Sequence, residues 1–273
     1  MNEAATEAMN EAISERVPSL DWAALEDELN GFGAARIPGL LSAQACAGLC
    51  EMYGDANGSK AAKGSKGSSG SSESQERPGT APTSGRFRSR IVMARHGFGQ
   101  GEYQYFAYPL PSLVAGLREA FYAPLRDIAH RWHKAMGIDT RYPSTHRAYL
   151  AQCHEAGQRR PTPLLLRYAA GDYNCLHQDL YGDHVFPLQV AILLSQPGED
   201  FTGGEFVLTE QRPRMQSRAE VVPLMQGDAV VFAVHHRPVN GTRGVYSVNM
   251  RHGVSRLRSG HRYTLGVILH DAT

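Results

Sequence analysis

Apolar residues recur at helical spacing in three places in the first half of the chain. Trp22, Leu25 and Leu29 predict a helix, and GFGAARIPGLL after it reads as a turn and a short strand. Ser42 is a candidate cap for a helix over roughly 43–53, with Cys46, Leu49, Cys50 and Tyr53 on its inner face. The stretch PSLVAGLREAFYAPLRDIAHRWHKAMG over 111–137 keeps the helical spacing on both sides of Pro124 and predicts two helices or one kinked helix. After about residue 160 the pattern changes to short β-rich runs at 163–169, 185–195, 204–208, 219–224, 228–234, 245–251 and 263–270. Gly, Pro and Asp turns separate these runs and no helical segment intervenes. Strands without crossover helices predict an antiparallel sandwich or barrel, not a parallel sheet. With helices first and strands afterwards, the expected architecture is α+β: N-terminal helices packed on one sheet of a β core.

Residues 57–85, NGSKAAKGSKGSSGSSESQERPGTAPTSG, break the pattern. Gly and Ser dominate and the aliphatic content is Ala and Pro alone, so nothing there offsets the entropy of ordering and a disordered insertion is expected. It divides the chain into an N-terminal helix and strand segment (1–56), the insertion (57–85) and the remainder (86–273), with the β core starting near 160.

The whole chain of 273 residues carries 28 Lys+Arg against 27 Asp+Glu, a formal charge of +1. That balance excludes a strongly basic or wholly disordered chain but hides clustering. Lys60, Lys63 and Lys66, three of only four lysines, sit in the insertion, whereas Arg86, Arg88, Arg90 and Arg95 crowd RFRSRIVMARH with no acid between them. There is no apolar run of transmembrane length, the N-terminus is acidic without an apolar segment, and Cys46, Cys50, Cys153 and Cys175 form no CxxC. These features lead to the expectation of a soluble, reduced, cytoplasmic protein with no membrane partner.

The chemistry concentrates in His177-Gln178-Asp179, just ahead of the run at 185–195. On an extended segment, residues i and i+2 point to the same side, so one imidazole and one carboxylate can share a metal. A second block, HGVSRLRSGHR, supplies His252 and, ten residues later in the last predicted strand, Arg262. Two histidines and one carboxylate on one face of an octahedron leave three positions open, the arrangement of non-haem Fe(II) oxygenases. A strand-borne Arg adds a permanent, bidentate partner for a carboxylate. Taken singly, these residues read more readily as loop hydrogen bonders, a turn histidine and a surface ion pair; taken jointly, the metal reading is favoured.

The combination resembles the Fe(II)/2-oxoglutarate-dependent dioxygenase superfamily over about 160–272, including the strand entry Gly227-Asp228-Ala229-Val230-Val231-Phe232 ahead of the distal His. The resemblance implies a double-stranded β-helix (jelly roll, cupin-like) core and a dioxygenase domain over 86–273. His177, Asp179 and His252 would bind Fe(II) as the catalytic and metal residues, with 2-oxoglutarate and O2 as cosubstrates. Arg262 would hold the distal carboxylate of 2-oxoglutarate, and Tyr168 would hydrogen-bond it. Asn174 and Gln189 are expected to line the cosubstrate pocket, and His235-His236 its rim. Cys175 is expected in the core, and Glu205 is either an exposed edge charge or a pocket group.

Two branches compete for the substrate. Arg167-Tyr168 and the run to Leu176-His177-Gln178-Asp179 are similar to the RY..G....LHQD segment of AlkB-type nucleic-acid demethylases. That family's Asn two before the Tyr is Leu166 here, and its second arginine is Ile268. The spacing of ten from His252 to Arg262 is instead that of the prolyl-hydroxylase-like branch. The stretches FRSRIVMARHGFG, LHQDLYGDHVFPLQVAILLS, FTGGEFVLTEQRPRMQSRAEV and RHGVSR resemble a group of prokaryotic oxygenases assigned to oxidative demethylation of damaged DNA. That implies alkylated DNA or RNA as partner, with a peptide (prolyl-type) or small-molecule hydroxylase, or a non-catalytic cupin-like binder, as alternatives. Candidate substrate contacts are Arg86, Arg88, Arg90, Gln178 and Arg212, with Arg214 beside it. Met93, Phe98, Tyr103 and Tyr105 are candidate stacking surfaces. Equally, Arg86, Arg88 and Arg90 fit the solvent face of a strand paired with the acidic N-terminal helix.

Overall fold

The computed structural model describes residues 11–55, 85–242 and 244–273. Residues 57–84 of the expected disordered insertion lie outside the described residues. In chain order the elements are α1 (Trp22–Phe32), β1 (Ala34–Ile37), α2 (Ala43–Asp55), β2 (Phe87–Val92), β3 (Gly99–Gln100), β4 (Glu102–Phe106), α3 (Ser112–Met136) and α4 (His146–Glu155). There follow β5 (Leu164–Ala169), β6 (Tyr173–His177), β7 (Leu188–Leu193), β8 (Phe201–Gly203), β9 (Phe206–Gln211) and β10 (Arg218–Val222). The chain ends with β11 (Ala229–Ala233), β12 (His236–Gly241), β13 (Gly244–Val254) and β14 (Leu257–Val267).

Local chemistry sets the helix ends. Asp21 accepts from Ala24 N at the start of α1, and Gly33 stops it in the left-handed region at φ 81°. Ser42 Oγ accepts from Ala45 N at 3.2 Å ahead of α2. Of the two readings of 111–137, the structure has a single helix, α3, with Pro124 inside it. Leu113, Leu117 and Phe121 before the proline and Leu125, Ile128 and Trp132 after it face one core. Burying that continuous stripe outweighs the roughly 3 kcal/mol that an interior proline costs. Helix α4 was not foreseen, because HRAYLAQCHE offers only a narrow buried face of His146, Tyr149 and Cys153.

The strands form two antiparallel sheets. The larger runs β1-β11-β7-β14-β5-β4-β2 with β8 on β14; the smaller runs β10-β9-β13-β6-β3 with β12 on β13. Helices first and strands afterwards is therefore too simple a description. β1, β2 and β4 come from the first 110 residues and extend the larger sheet, β4 pairing with β5 at Tyr103↔Leu166. Nor do the helices rest on one sheet: α1 and α3 touch strands of the larger sheet and also β12 of the smaller. The sheets meet through Phe206 on β9 and Phe232 on β11, whose ring centroids are 5.0 Å apart. None of the described helices is long and apolar enough to cross a membrane.

Buried Asp228 ties the N-terminal strand to this frame. It accepts from Gly39 N at 2.7 Å, Met225 N at 2.8 Å and Arg36 Nε at 2.9 Å. Asp228→Ala is expected to cost about 2–4 kcal/mol in urea denaturation, because three donors lose one shared acceptor. A loss below about 1 kcal/mol would show that the tether is not needed.

Candidate active site

Strand pairing assembles the site. β6 and β13 are hydrogen-bonded neighbours in the smaller sheet, and their register sets His177 opposite His252, with an irregularity between His252 and Val254. Asp179, two residues past the end of β6, falls on the same side as His177 by the alternation of an extended chain. His177 Nε2 lies 3.5 Å from Asp179 Oδ1, and His252 Nε2 lies 3.4 Å from Asp179 Oδ2. One ligand atom from each of the three residues falls within 4.8 Å of the others, a spacing that can hold a metal ion. The His177 ring is oriented by its Nδ1 contact with Cys175 O at 2.8 Å. Burial opposes the Asp179 carboxylate, but the two histidines hold its pKa well below the usual range. Burial also opposes protonation of His177, and Asp179 outweighs it, so that pKa is raised; at His252 burial prevails and the pKa is lowered.

The second half of the site lies on the larger sheet. Arg262 on β14 stands opposite Tyr168 on β5. Its guanidinium is buried, donates to Thr264 Oγ1 at 2.6 Å, and makes no ion pair among the described residues. Desolvation pushes its pKa down to about 10, so it stays charged at neutral pH. Arg262 Nε, Tyr168 Oη, Gln189 Oε1 and His252 Nδ1 are all buried without a hydrogen-bond partner. A buried cation and three further unsatisfied polar atoms are costly unless a ligand completes them. They share a cavity of about 320 Å³ with His177 and Asp179, whose other walls include Leu164, Leu166, Ala191, Phe206 and Phe232. Asn174 lines it as well.

Tyr181 escaped the sequence reading. Its hydroxyl donates to Asp179 Oδ1 at 2.7 Å, and its ring packs on Tyr105. The same period of two that links His177 and Asp179 extends to Tyr181, so the signal was present. The remaining candidates divide. Phe98 and Tyr103 line the cavity, Phe98 well exposed and stacked on His96. Met93 is fully buried in the core and offers no stacking surface. Tyr105 is buried beneath the Arg88 guanidinium, 4.3 Å from its ring centre. Arg88 and Arg90 do lie on a strand, β2, but Arg90 pairs with Glu102 of β4, not with the N-terminal helix, and Arg88 donates to Pro161 O. Arg86 precedes β2 and is exposed. Gln178 lines the cavity while its amide donates to Asn249 Oδ1 and Met250 O. His235 and His236 are not on the cavity wall; they stack on each other at the start of β12. Cys175 is exposed, not core: β6 has no buried residue along its length, and Cys175 lies on the cavity wall with His177. Glu205 is an exposed edge charge that accepts from the Ser255 hydroxyl.

The class follows from this chemistry together with likeness to known proteins: the chain is an oxygenase, and two histidines and one carboxylate form its candidate metal site. It belongs to the Oxygenase-NA family, described as an oxygenase catalysing oxidative methylation of damaged DNA, whose model matches residues 101–272. It is similar to "Uncharacterized protein Rv2227" and "Uncharacterized protein MT2286" from two strains of Mycobacterium tuberculosis. Each is 49% identical over 167 residues, covering 61% of this chain and 72% of the relative. Among solved structures it is similar to a Pseudomonas putida prolyl-4-hydroxylase, at 14% identity and TM-score 0.45 over 90% of this chain and 96% of that one. It is also similar to a Trichoplax adhaerens prolyl hydroxylase in complex with a hypoxia inducible factor peptide, at 11% identity and TM-score 0.46 over 97% and 92%. Likeness at that level says nothing of what this chain acts on.

The isolation of Arg262 has a measurable consequence. Arg262→Met is expected to leave the stability of the metal-free protein unchanged or to raise it, since an unpaired buried charge is replaced by an apolar side chain of similar length. Arg118→Met provides the contrast: Arg118 is paired to buried Asp271 at 2.9 Å, and stranding that carboxylate is expected to cost about 3–5 kcal/mol. Equal losses for the two variants in urea denaturation would mean that Arg262 has a protein counter-ion.

Proposed function

We propose that this oxygenase oxidatively demethylates alkylated nucleic-acid bases, with His177, Asp179 and His252 holding Fe(II) and Arg262 holding the distal carboxylate of 2-oxoglutarate. The observation that carries the cosubstrate assignment is the buried, unpaired Arg262 guanidinium on the wall of the cavity that contains the three metal-ligating side chains. Tyr168 and Gln189, each with a buried unpartnered oxygen, are the further groups available to a bound dicarboxylate. The arrangement of the two antiparallel sheets around this cavity supports a double-stranded β-helix core.

With O2 and 2-oxoglutarate, bound Fe(II) would supply the oxidant for a substrate C–H bond while the cosubstrate is converted to succinate and CO2. The protein's own part is positional. Tyr181 occupies Asp179 Oδ1, which leaves Oδ2 as the carboxylate oxygen on the His252 side. The burial of Arg262 away from water strengthens its pull on a carboxylate. On an N-methyl group, hydroxylation gives N–CH2OH, which releases formaldehyde and restores N–H. The family description supports a nucleic-acid substrate, and Phe98 at the cavity edge is an exposed ring on which a base can stack.

Anaerobic addition of Fe(II) and 2-oxoglutarate to the wild type is expected to give the weak visible band of the chelate, which His177→Ala and Asp179→Ala abolish. Arg262→Leu is expected to raise the apparent KM for 2-oxoglutarate while retaining metal binding. A wild type that shows neither the band nor succinate formation would refute the cofactor assignment. For the substrate, release of formaldehyde from N-methylated oligonucleotides is expected. A 16 Da gain on peptides with no formaldehyde from any oligonucleotide would establish the protein-hydroxylase alternative instead.

A further inference from the structure

Beyond Gln178 lies a second cavity, of about 390 Å³, whose walls include Arg212, Arg214, His236 and Asn249. The two are linked at Gln178, which lines the main cavity and whose amide reaches Asn249 Oδ1 at 2.5 Å on the wall of the second, while Ser247 and Asn249 lie on the face of β13 opposite His252. The cavity-lining loop after β9 is shaped by its own side chains. The Gln211 amide donates to Arg212 O at 3.2 Å and Met215 O at 2.5 Å, and Gln211 Oε1 accepts from the Ser217 hydroxyl. Within this loop Arg214 is held in the left-handed region at φ 63°, the one non-glycine described with positive φ. A residue with a Cβ is strained there.

The charges are arranged to leave a surplus. Arg212 binds buried Glu210 through Nε at 2.8 Å, a bond that does not use its two Nη groups. Arg237 and, at 3.6 Å, Arg218 share the same carboxylate. Three guanidinium groups on one carboxylate leave two positive charges uncompensated. Arg214 is exposed, adds a third, and has no ion pair among the described residues. No carboxylate lines the cavity, and its neutral walls, such as Ser247 and Asn249, are hydrogen bonders.

We propose that this loop and cavity cradle the phosphodiester backbone of a single-stranded nucleic acid whose modified base enters the iron pocket. The inference rests on the nucleic-acid reading of the function. Guanidinium groups grip phosphate oxygens bidentately and remain charged at any working pH. Two of them on a braced loop provide the positioning contacts, while the pocket handles the base. A single strand fits because its base needs no extraction from a duplex stack.

The test is fluorescence anisotropy of a labelled single-stranded DNA of about 12 nucleotides, titrated with the metal-free full-length protein at several salt concentrations. Arg212→Gln/Arg214→Gln is expected to reduce the slope of log Kobs against log salt by about 1.4, two phosphate contacts at roughly 0.7 each. It should weaken binding roughly tenfold at physiological salt. Arg212→Lys/Arg214→Lys, which keeps both charges, is expected to restore most of the slope, and that rescue separates charge loss from misfolding. Wild-type binding with a slope unchanged in the Gln variant would overturn the cradle and leave the nucleic-acid reading standing. If the wild type binds neither the DNA nor the corresponding RNA, the nucleic-acid reading falls and the cradle with it. Capture of an acidic peptide in that case would assign the loop to a protein substrate.

Discussion

The register between β6 and β13 is the constraint on which the rest depends. His177 and His252 are far apart in sequence, and only the pairing His252↔His177 brings their rings to 4.3 Å. A slip of one residue would turn His252 to the other face of the sheet, because side chains alternate along a strand. The register is itself pinned by burial. Val248, Met250 and His252 on one face of β13 are all buried, while Arg251 between them is exposed. β9 on the opposite flank locks the same alignment through His252↔Leu208. The group of His177, Asp179 and His252 is thus a by-product of packing the smaller sheet.

Arg262 shows the reverse economy. Its position on β14, between β5 and β7, is fixed by strands that are almost wholly apolar, and the fold gains nothing from placing an unpaired cation there. Arg118 is equally buried but is fully engaged, with Asp271, Ile268 O and the Tyr108 hydroxyl around it. Of these two buried arginines, Arg118 is satisfied by the fold and Arg262 is left without a counter-ion, as its proposed role toward a carboxylate requires. The orphaned oxygens of Tyr168 and Gln189 near Arg262 point the same way.

Much of this was legible in the sequence wherever one period or one turn residue sufficed. The helical stripes, the seven short β runs and the pairing of His177 with Asp179 come from local pattern, whereas His252 and Arg262 were joined to them through the resemblance. What was missed depends on partners. β3 and β8 are two or three residues long and exist only because β6 and β14 are beside them. The exposure of Cys175 and the burial of Met93 follow from whether a strand or turn meets the core, and neither neighbour sequence announces it. His235 and His236 seemed to belong to the pocket because they follow a buried strand. The chain instead turns into β12 at that point and places His236 on the wall of the second cavity.

Charge distribution links these observations to the substrate. A net charge of +1 would give weak long-range attraction for a polyanion. Local geometry matters more here than the total. Arg88 and Arg90, on the strand that looked most like a phosphate grip, are engaged by Pro161 O and Glu102 and serve the larger sheet. The arginines after β9 are the ones left in surplus over their single carboxylate, and they line the second cavity. Recognition by a few braced guanidinium groups, on a nearly neutral protein, would hold a strand at one position without binding nucleic acid wherever it is met. On the proposed function, that is the behaviour suited to reading a rare modified base and then releasing the strand.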